Sequence, residues 1–185
     1  MIYSIFNIVL AIVYRSFWFL TLGIYYFSLG CMRGALAAHG RSQKDKRTSA
    51  VVVRHVGIVF FPLAVIFSGN VVLSIYENHS TAYGIVVMLA IAAFTFYLFT
   101  MAIINIVRSR KSGSLKLMAL RNISLGGALV SMFSLEKSML ATFTDNAPDY
   151  ITHMEMYTGA GIFAALIALG INLIIISRRV NPTMK

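Results

Sequence analysis

The distribution of charge along the chain constrains its fold more than any other feature. Long apolar runs separate two kinds of charged segment. Of the 16 Lys and Arg residues, 14 fall within residues 33–54, 108–121 and 178–185. Five of the six acids, Glu77, Glu136, Asp145, Asp149 and Glu155, fall in the stretches between those segments. This is the positive-inside pattern of a polytopic membrane protein, in which basic segments stay on the cytoplasmic side. It predicts architecture and orientation, and it is silent on activity.

Composition agrees. The chain is 58% hydrophobic and 12% charged, whereas a soluble domain carries about 25% charged and 45–50% apolar residues. The excess apolar surface must face lipid. A net charge of +10 would suit nucleic acid if it formed one continuous basic face. Here the cations cap the ends of apolar runs, and anionic inner-leaflet lipids account for them without nucleic acid. The single cysteine, Cys31, permits no internal disulfide and reads as a small helix residue. Residues 1–14 lack a basic n-region and a small-residue cleavage site, so they do not read as a secretion signal. The sequon Asn78-His79-Ser80 falls on the expected outer side, close to the membrane.

A spanning helix needs about 20 apolar residues. Five runs qualify: 16–38, 51–76, 81–107, 117–143 and 153–177. The charged turn 41–47 follows the first, the basic turn 108–113 follows the third, and a polar loop over 144–152 containing Pro148 precedes the fifth. Short turns between long helices predict antiparallel hairpins packed as neighbours. The expectation is an all-α membrane protein, one domain over residues 1–185, with the N-terminus outside and the C-terminus inside. Residues 1–14 are apolar but too short to span. Joined to the first run they would make a rod of about 57 Å, nearly twice the hydrocarbon core. A break is therefore expected at Tyr14-Arg15-Ser16, making residues 1–14 a short interfacial or re-entrant helix on the outer side.

A shift of 67 residues lays Arg54 on Arg121, Tyr83 on Tyr150, Phe96 on Phe163, and Ile104-Asn105 on Ile171-Asn172, without a gap. A tandem hairpin repeat, 54–110 and 121–177, is one reading, and repeats about an axis along the membrane normal are a known transporter device. Chance agreement between apolar segments is the other.

Polar residues within the runs are the candidate site residues, because intramembrane charges are costly and often functional. Arg54 and Arg121 lie near the inner boundary. They either snorkel to phosphates or form an inner-mouth anion or lipid-headgroup site completed by Asn105 and Asn172. Those amides otherwise serve as hydrogen-bonding glue between helices. Glu136 and Lys137 lie in the outer half of the fourth run. Neighbours on a helix point about 100° apart, so each needs its own partner: Arg15 or His153 for Glu136, Glu155 or Glu77 for Lys137. They either snorkel outward or line a polar cavity, to which Asn70 is a further contributor. The outer His and acid residues do not read as a metal site, since His153-x-Glu155 lacks the i, i+4 spacing of a zinc helix. No phosphate loop, dinucleotide fingerprint, nucleophile elbow or CxxC is present, and no cofactor is expected.

Packing signals accompany these residues. Gly30-Cys31-Met32-Arg33-Gly34 is a GxxxG, and Gly126-Gly127-Ala128 and Gly159-Ala160-Gly161 place small residues in the fourth and fifth runs. Such residues let helix backbones approach closely. Pro62 should kink the second run or free a carbonyl there.

Two stretches, Ala102-Ile103-Ile104-Asn105-Ile106-Val107-Arg108-Ser109-Arg110-Lys111 and Leu120-Arg121-Asn122-Ile123-Ser124 leading into Ala128-Leu129-Val130-Ser131-Met132-Phe133-Ser134-Leu135, resemble a group of small integral membrane proteins of Gram-positive gut bacteria. The resemblance covers most of the chain after about residue 16. It implies a bacterial plasma membrane and a shortened first segment relative to the group. It brings no activity and no site residue.

The function expected first is a small transporter or channel component, assembled as a homo-oligomer or with other membrane proteins. The alternative is a non-catalytic module that binds or regulates a partner membrane protein. An enzyme is disfavoured, because no catalytic constellation is visible. A transporter predicts a polar cavity lined by Glu136, Lys137 or Asn70. A partner module predicts a dry core with small residues facing outward.

Overall fold

A computed structural model describes residues 2–42, 46–76, 85–112, 114–143 and 148–180. Glu77, the sequon, His79, Tyr83 and Asp145 lie outside them. The described residues fold into six helices: α1 Ile2–Tyr14, α2 Phe17–Ser42, α3 Lys46–Tyr76, α4 Ile85–Ser112, α5 Leu115–Phe143 and α6 Pro148–Val180. Five carry apolar segments long enough to cross a bilayer: Phe17–Ala38, Ser49–Ile75, Val86–Ser109, Leu115–Leu140 and Tyr150–Arg179. The protein is an all-α, multi-pass membrane protein. Large apolar side chains on its outer surface, such as Phe17, Val86, Phe96 and Tyr157, suit lipid. In water they would form a patch far beyond what a soluble monomer exposes.

α1 is not an extension of α2. Arg15 adopts φ 48°, and the Ser16 amide donates to the Ala11 carbonyl at 3.2 Å. That six-to-one bond with a left-handed residue inside it is a Schellman C-cap, and it reverses the chain at the expected break. α1 then runs back along α2. The Ser4 hydroxyl donates to the Gly23 carbonyl at 2.9 Å, and a Cβ on Gly23 would stand 2.8 Å from Ile8. α1 thus lies antiparallel beside the first spanning helix over about 20 Å, packed along it.

α6 begins at Pro148, five residues before the expected start of the fifth run. Much of the anticipated loop is therefore helical. Proline is favoured in a first helical turn, where its missing amide hydrogen has no partner to lose. α3 continues through Pro62 from Lys46 to Tyr76.

One end of the bundle, where α2, α4 and α6 finish and α3 and α5 begin, is called basic, and the other end acidic. α3 packs most extensively against α6 and α4 against α5, with α2 against α3 and α5. Adjacent helices pack as expected for α2–α3, α4–α5 and α5–α6, but α3 and α4 form no extensive pair. The α3–α6 seam closes through glycines: a Cβ on Gly57 would lie 3.0 Å from the Gly170 carbonyl, and one on Gly170 would lie 3.0 Å from the Gly57 carbonyl. Towards the ends of the seam, Ser177 Oγ donates to the Ala50 carbonyl at 2.6 Å, and Gly159 seats against Val71. The aromatic core lies where α2, α3 and α5 meet, around Trp18, Phe19, Tyr25, Phe60, Phe67 and Phe133. Phe67 and Phe133 meet edge to face at 5.3 Å.

Candidate functional site

Two groups of polar side chains are set into the bundle, one towards each end. The group at the acidic end draws on α2, α3, α5 and α6. Asn70 is buried, and its Oδ1 accepts from Thr21 Oγ1 at 2.5 Å. One turn further along α3, Ser74 donates to Glu155 at 2.5 Å, both side chains being buried. Glu136 Oε1 accepts from Thr158 Oγ1 at 3.0 Å. The Lys137 ammonium sits over the Trp18 ring, 4.6 Å from its centroid. A cation on an aromatic face is stabilised by about 2 kcal/mol when desolvated.

The two adjacent charges of α5 thus do diverge to separate partners. The partner of Glu136 is a hydroxyl on α6, where the sequence suggested Arg15 or His153; both of those are exposed. An arginine or imidazole at either place would need to leave the interface, whereas Thr158 already sits on the α5–α6 seam. Glu155, offered as a partner for Lys137, accepts from Ser74 through one carboxylate oxygen. The group lies roughly one to two turns below the acidic end, since Glu136 is four residues before Leu140 in its spanning segment. Each of these two carboxylates accepts from a neutral hydroxyl, Glu136 from Thr158 and Glu155 from Ser74. Among the described residues, no three His, Cys, Asp or Glu side chains gather to hold a metal ion.

At the basic end the predicted residues separate. Asn105 Nδ2 donates to Ser124 Oγ at 2.6 Å across the α4–α5 seam. Arg121 Nε donates to the neighbouring Asn122 Oδ1 at 3.4 Å, and Asn122 Nδ2 reaches the Leu169 carbonyl on α6 at 3.3 Å. Arg54 is half-buried on α3. Asn172 is exposed on the outer face of α6, so it does not complete a site with Asn105. The shift that aligns the two amides in sequence places one on an inner seam and the other on the surface.

Arg33 also reaches into the bundle. Its Nη2 donates to Ser124 Oγ at 3.3 Å, and its Nε is buried without a hydrogen-bond partner. Comparison with family models, curated proteins and solved structures finds no match for this chain.

Arg33 stands at one end of a cleft of about 730 Å³ between α2 and α4, with Ser4 of α1 and Gly127 of α5 in its walls. The rest of the lining is mainly apolar or aromatic, including Tyr26, Leu29, Phe94 and Leu98. Asn70, Glu136 and Lys137 are not part of it. In sequence, Arg33 counted only as one of the basic-end cations. Its signals were its place between Gly30 and Gly34 and its distance of five residues inside the Ala38 end of its run.

Ala160, Gly161, Ala164 and Ala168 are all exposed on α6, and Asn172 follows them one turn on. Small residues repeated every four positions thus form a stripe on the outside of the bundle.

Proposed function

We propose that the chain is a non-catalytic integral membrane module that assembles, through the outer face of α6, with a second transmembrane helix. The observation that carries this reading is the exposed stripe Ala160, Ala164 and Ala168 ending at the exposed amide of Asn172. In lipid, apolar side chains gain nothing from burial as such, so helices associate where small residues allow close backbone contact and polar groups bond across. An amide within a spanning segment is best satisfied by such a partner. The test is disulfide crosslinking in native membranes, with Ala164→Cys placed in a Cys31→Ala background. A discrete crosslinked species is expected at Ala164 and not at Phe96→Cys on exposed α4. It should weaken with Asn172→Leu. A species of twice 20.5 kDa identifies a second copy; a photocrosslinker at position 164 that yields another discrete mass identifies a different protein. Equal crosslinking at positions 164 and 96 would remove the reading.

A second reading, a small transporter or channel component, is favoured by Glu136, Lys137 and Glu155 within the spanning segments. Ionisable groups there are expensive and commonly mark ion or proton paths. Proteoliposomes carrying the chain should then pass protons or monovalent cations faster than empty vesicles, and Glu136→Gln should slow that flux while preserving expression. Flux equal to that of empty vesicles defeats it.

Both readings place the chain in a bacterial plasma membrane with the basic end towards the cytosol, as the charge bias supports. An impermeant thiol reagent should reach Thr152→Cys on intact cells and reach Ser42→Cys only after permeabilisation. The opposite pattern reverses the orientation.

A further inference from the structure

We propose that the cleft between α2 and α4 is a binding site for one anionic membrane amphiphile, with its acidic headgroup on Arg33 and its acyl chain along Leu29, Tyr26 and Phe94. This site is separate from the α6 face and does not depend on it.

Four observations converge. The cleft holds about 730 Å³, within the roughly 300–1,000 Å³ typical of small-ligand sites. It exists because α2 and α4 do not pack extensively together, although both pack on α5. Its floor at Gly127 carries no side chain, and α2 contributes Gly30 on the same side as Arg33. The space is thus built into the backbone.

The second observation is the unused capacity of the guanidinium. Nη2 is engaged by Ser124, whose oxygen also receives Asn105, while Nε is enclosed by protein without a hydrogen-bond partner. The side chain is only half-buried, so a ligand in the cleft meets it through the terminal amino groups. Among the described residues no acid lines the cleft. A guanidinium presents its donors in a planar fork that matches a phosphate or carboxylate.

The third is depth. Arg33 lies five residues inside the Ala38 end of the α2 segment, about 8 Å by helical rise, within reach of the headgroup zone. The apolar lining, from Leu29 to Tyr26 on α2 and from Leu98 to Phe94 on α4, lies further towards the acidic end. A ligand with its charge at Arg33 and its tail along that wall has the same polarity as the lipids of the basic-end leaflet.

The fourth is access. The cleft is bounded by helices whose neighbouring outer positions, Phe27 and Tyr97, are exposed. A ligand enters sideways from the bilayer, which selects a lipid over a soluble anion.

The test uses the full chain in phosphatidylcholine vesicles doped with a phosphatidic acid that bears a photoreactive tail. A phosphatidylcholine with the same tail is the control. The anionic probe should label peptides of α2 and α4 several-fold more than the control. Arg33→Gln should lower that labelling about tenfold, the equivalent of 1.4 kcal/mol. Arg33→Lys, which keeps the charge, should retain part of it, and Gly30→Leu should block it by filling the space. Arg108→Gln, an exposed basic-end change, should leave it unaltered. Equal labelling by the two probes, or full labelling of Arg33→Gln, would overturn the site. Competition by inorganic phosphate alone would overturn the lipid assignment, showing a free anion on the arginine instead.

Discussion

At the scale of single residues, Gly57 and Gly170 illustrate how little room the bundle leaves. Each faces the other's carbonyl at the α3–α6 crossing, and a Cβ on Gly170 would also meet Phe60 at 3.0 Å. Backbone atoms cannot rotate away as a flexible side chain can. Gly170→Ala should therefore destabilise the protein by about 1–3 kcal/mol, the usual cost of overpacking. Gly34→Ala, with nothing within 4 Å of the added methyl, should be neutral or stabilising by up to about 1 kcal/mol. Thermal unfolding in detergent, followed by helical signal, distinguishes them; an unchanged midpoint for Gly170→Ala would mean that the helices cross further apart. Neither Gly57 nor Gly170 stood out in sequence, where the Gly30–Gly34 pair, Gly126-Gly127 and Gly159-Ala160-Gly161 drew attention instead. Glycine content signals that close approaches exist, and only the crossing geometry decides which residues make them. The polar residues behaved similarly. Their types and depths marked Asn70, Glu136 and Lys137 as polar groups within the spans, with outward snorkelling or a polar cavity as the two readings. The partners of Asn70, Glu136 and Glu155 were not legible, because Thr21, Thr158 and Ser74 are ordinary hydroxyls among many, selected by helix rotation.

At the scale of elements, apolar length was sufficient to read the five spanning helices, since lipid requires each span to satisfy its own backbone hydrogen bonds. Their ends were less legible: α6 absorbed Pro148 and the residues after it, because a loop-like composition is also a good first turn. The α1–α2 turn was legible from length and from Arg15. Its conformation was not, because the left-handed region is normally left to glycine. A non-glycine residue there costs about 1–2 kcal/mol, and the Ser16–Ala11 bond together with the Ser4–Gly23 contact outweighs that cost. Arg15→Gly should consequently retain or tighten the turn, whereas the β-branched Arg15→Val should loosen it. The readout is hydrogen exchange of the α1 amides, which reports local opening. Faster exchange in Arg15→Val than in Arg15→Gly is expected. The reverse order would mean that docking of α1 does not depend on the reversal at Arg15.

At the scale of the whole molecule, the registers of the two largest seams bear on the hairpin repeat. A shift of 67 residues exchanges α3 with α5 and α4 with α6. It carries the Gly57–Gly170 crossing of α3 and α6 onto Ser124 and Ile103, two residues along α4 from the observed Asn105–Ser124 bond. The contact between α3 and α5 is parallel, and it joins Phe60 to Gly126 and Phe67 to Phe133, partners 66 residues apart in each case. Near-equivalent positions meeting at one height are what a two-fold axis along the membrane normal produces. The α3–α5 contact therefore fits tandem hairpins 54–110 and 121–177 about such an axis, whereas Asn105 on the α4–α5 seam and Asn172 on the outer surface do not. The symmetry breaks where α2 packs on α3 and α5: α5 and α6 pack together while their counterparts α3 and α4 do not, and the Arg33 cleft lies between α2 and α4. The two seams also differ in register towards the acidic end. The Val71–Gly159 approach maps onto Ser138 and Ala92, whereas Thr95 Oγ1 donates to the Ser131 carbonyl at 3.2 Å and Gly127 lies against Leu98, a register that sets Ala92 opposite Ser134. Ala92→Cys with Ser134→Cys, in a Cys31→Ser background, should therefore form an intramolecular disulfide in membranes under mild oxidation, and Ala92→Cys with Ser138→Cys, the pair a strict repeat requires, should form it more slowly. If the Ser138 pair reacted as fast or faster, the α4–α5 seam would repeat the register of α3–α6 after all, and the 67-residue shift would describe packing as well as sequence.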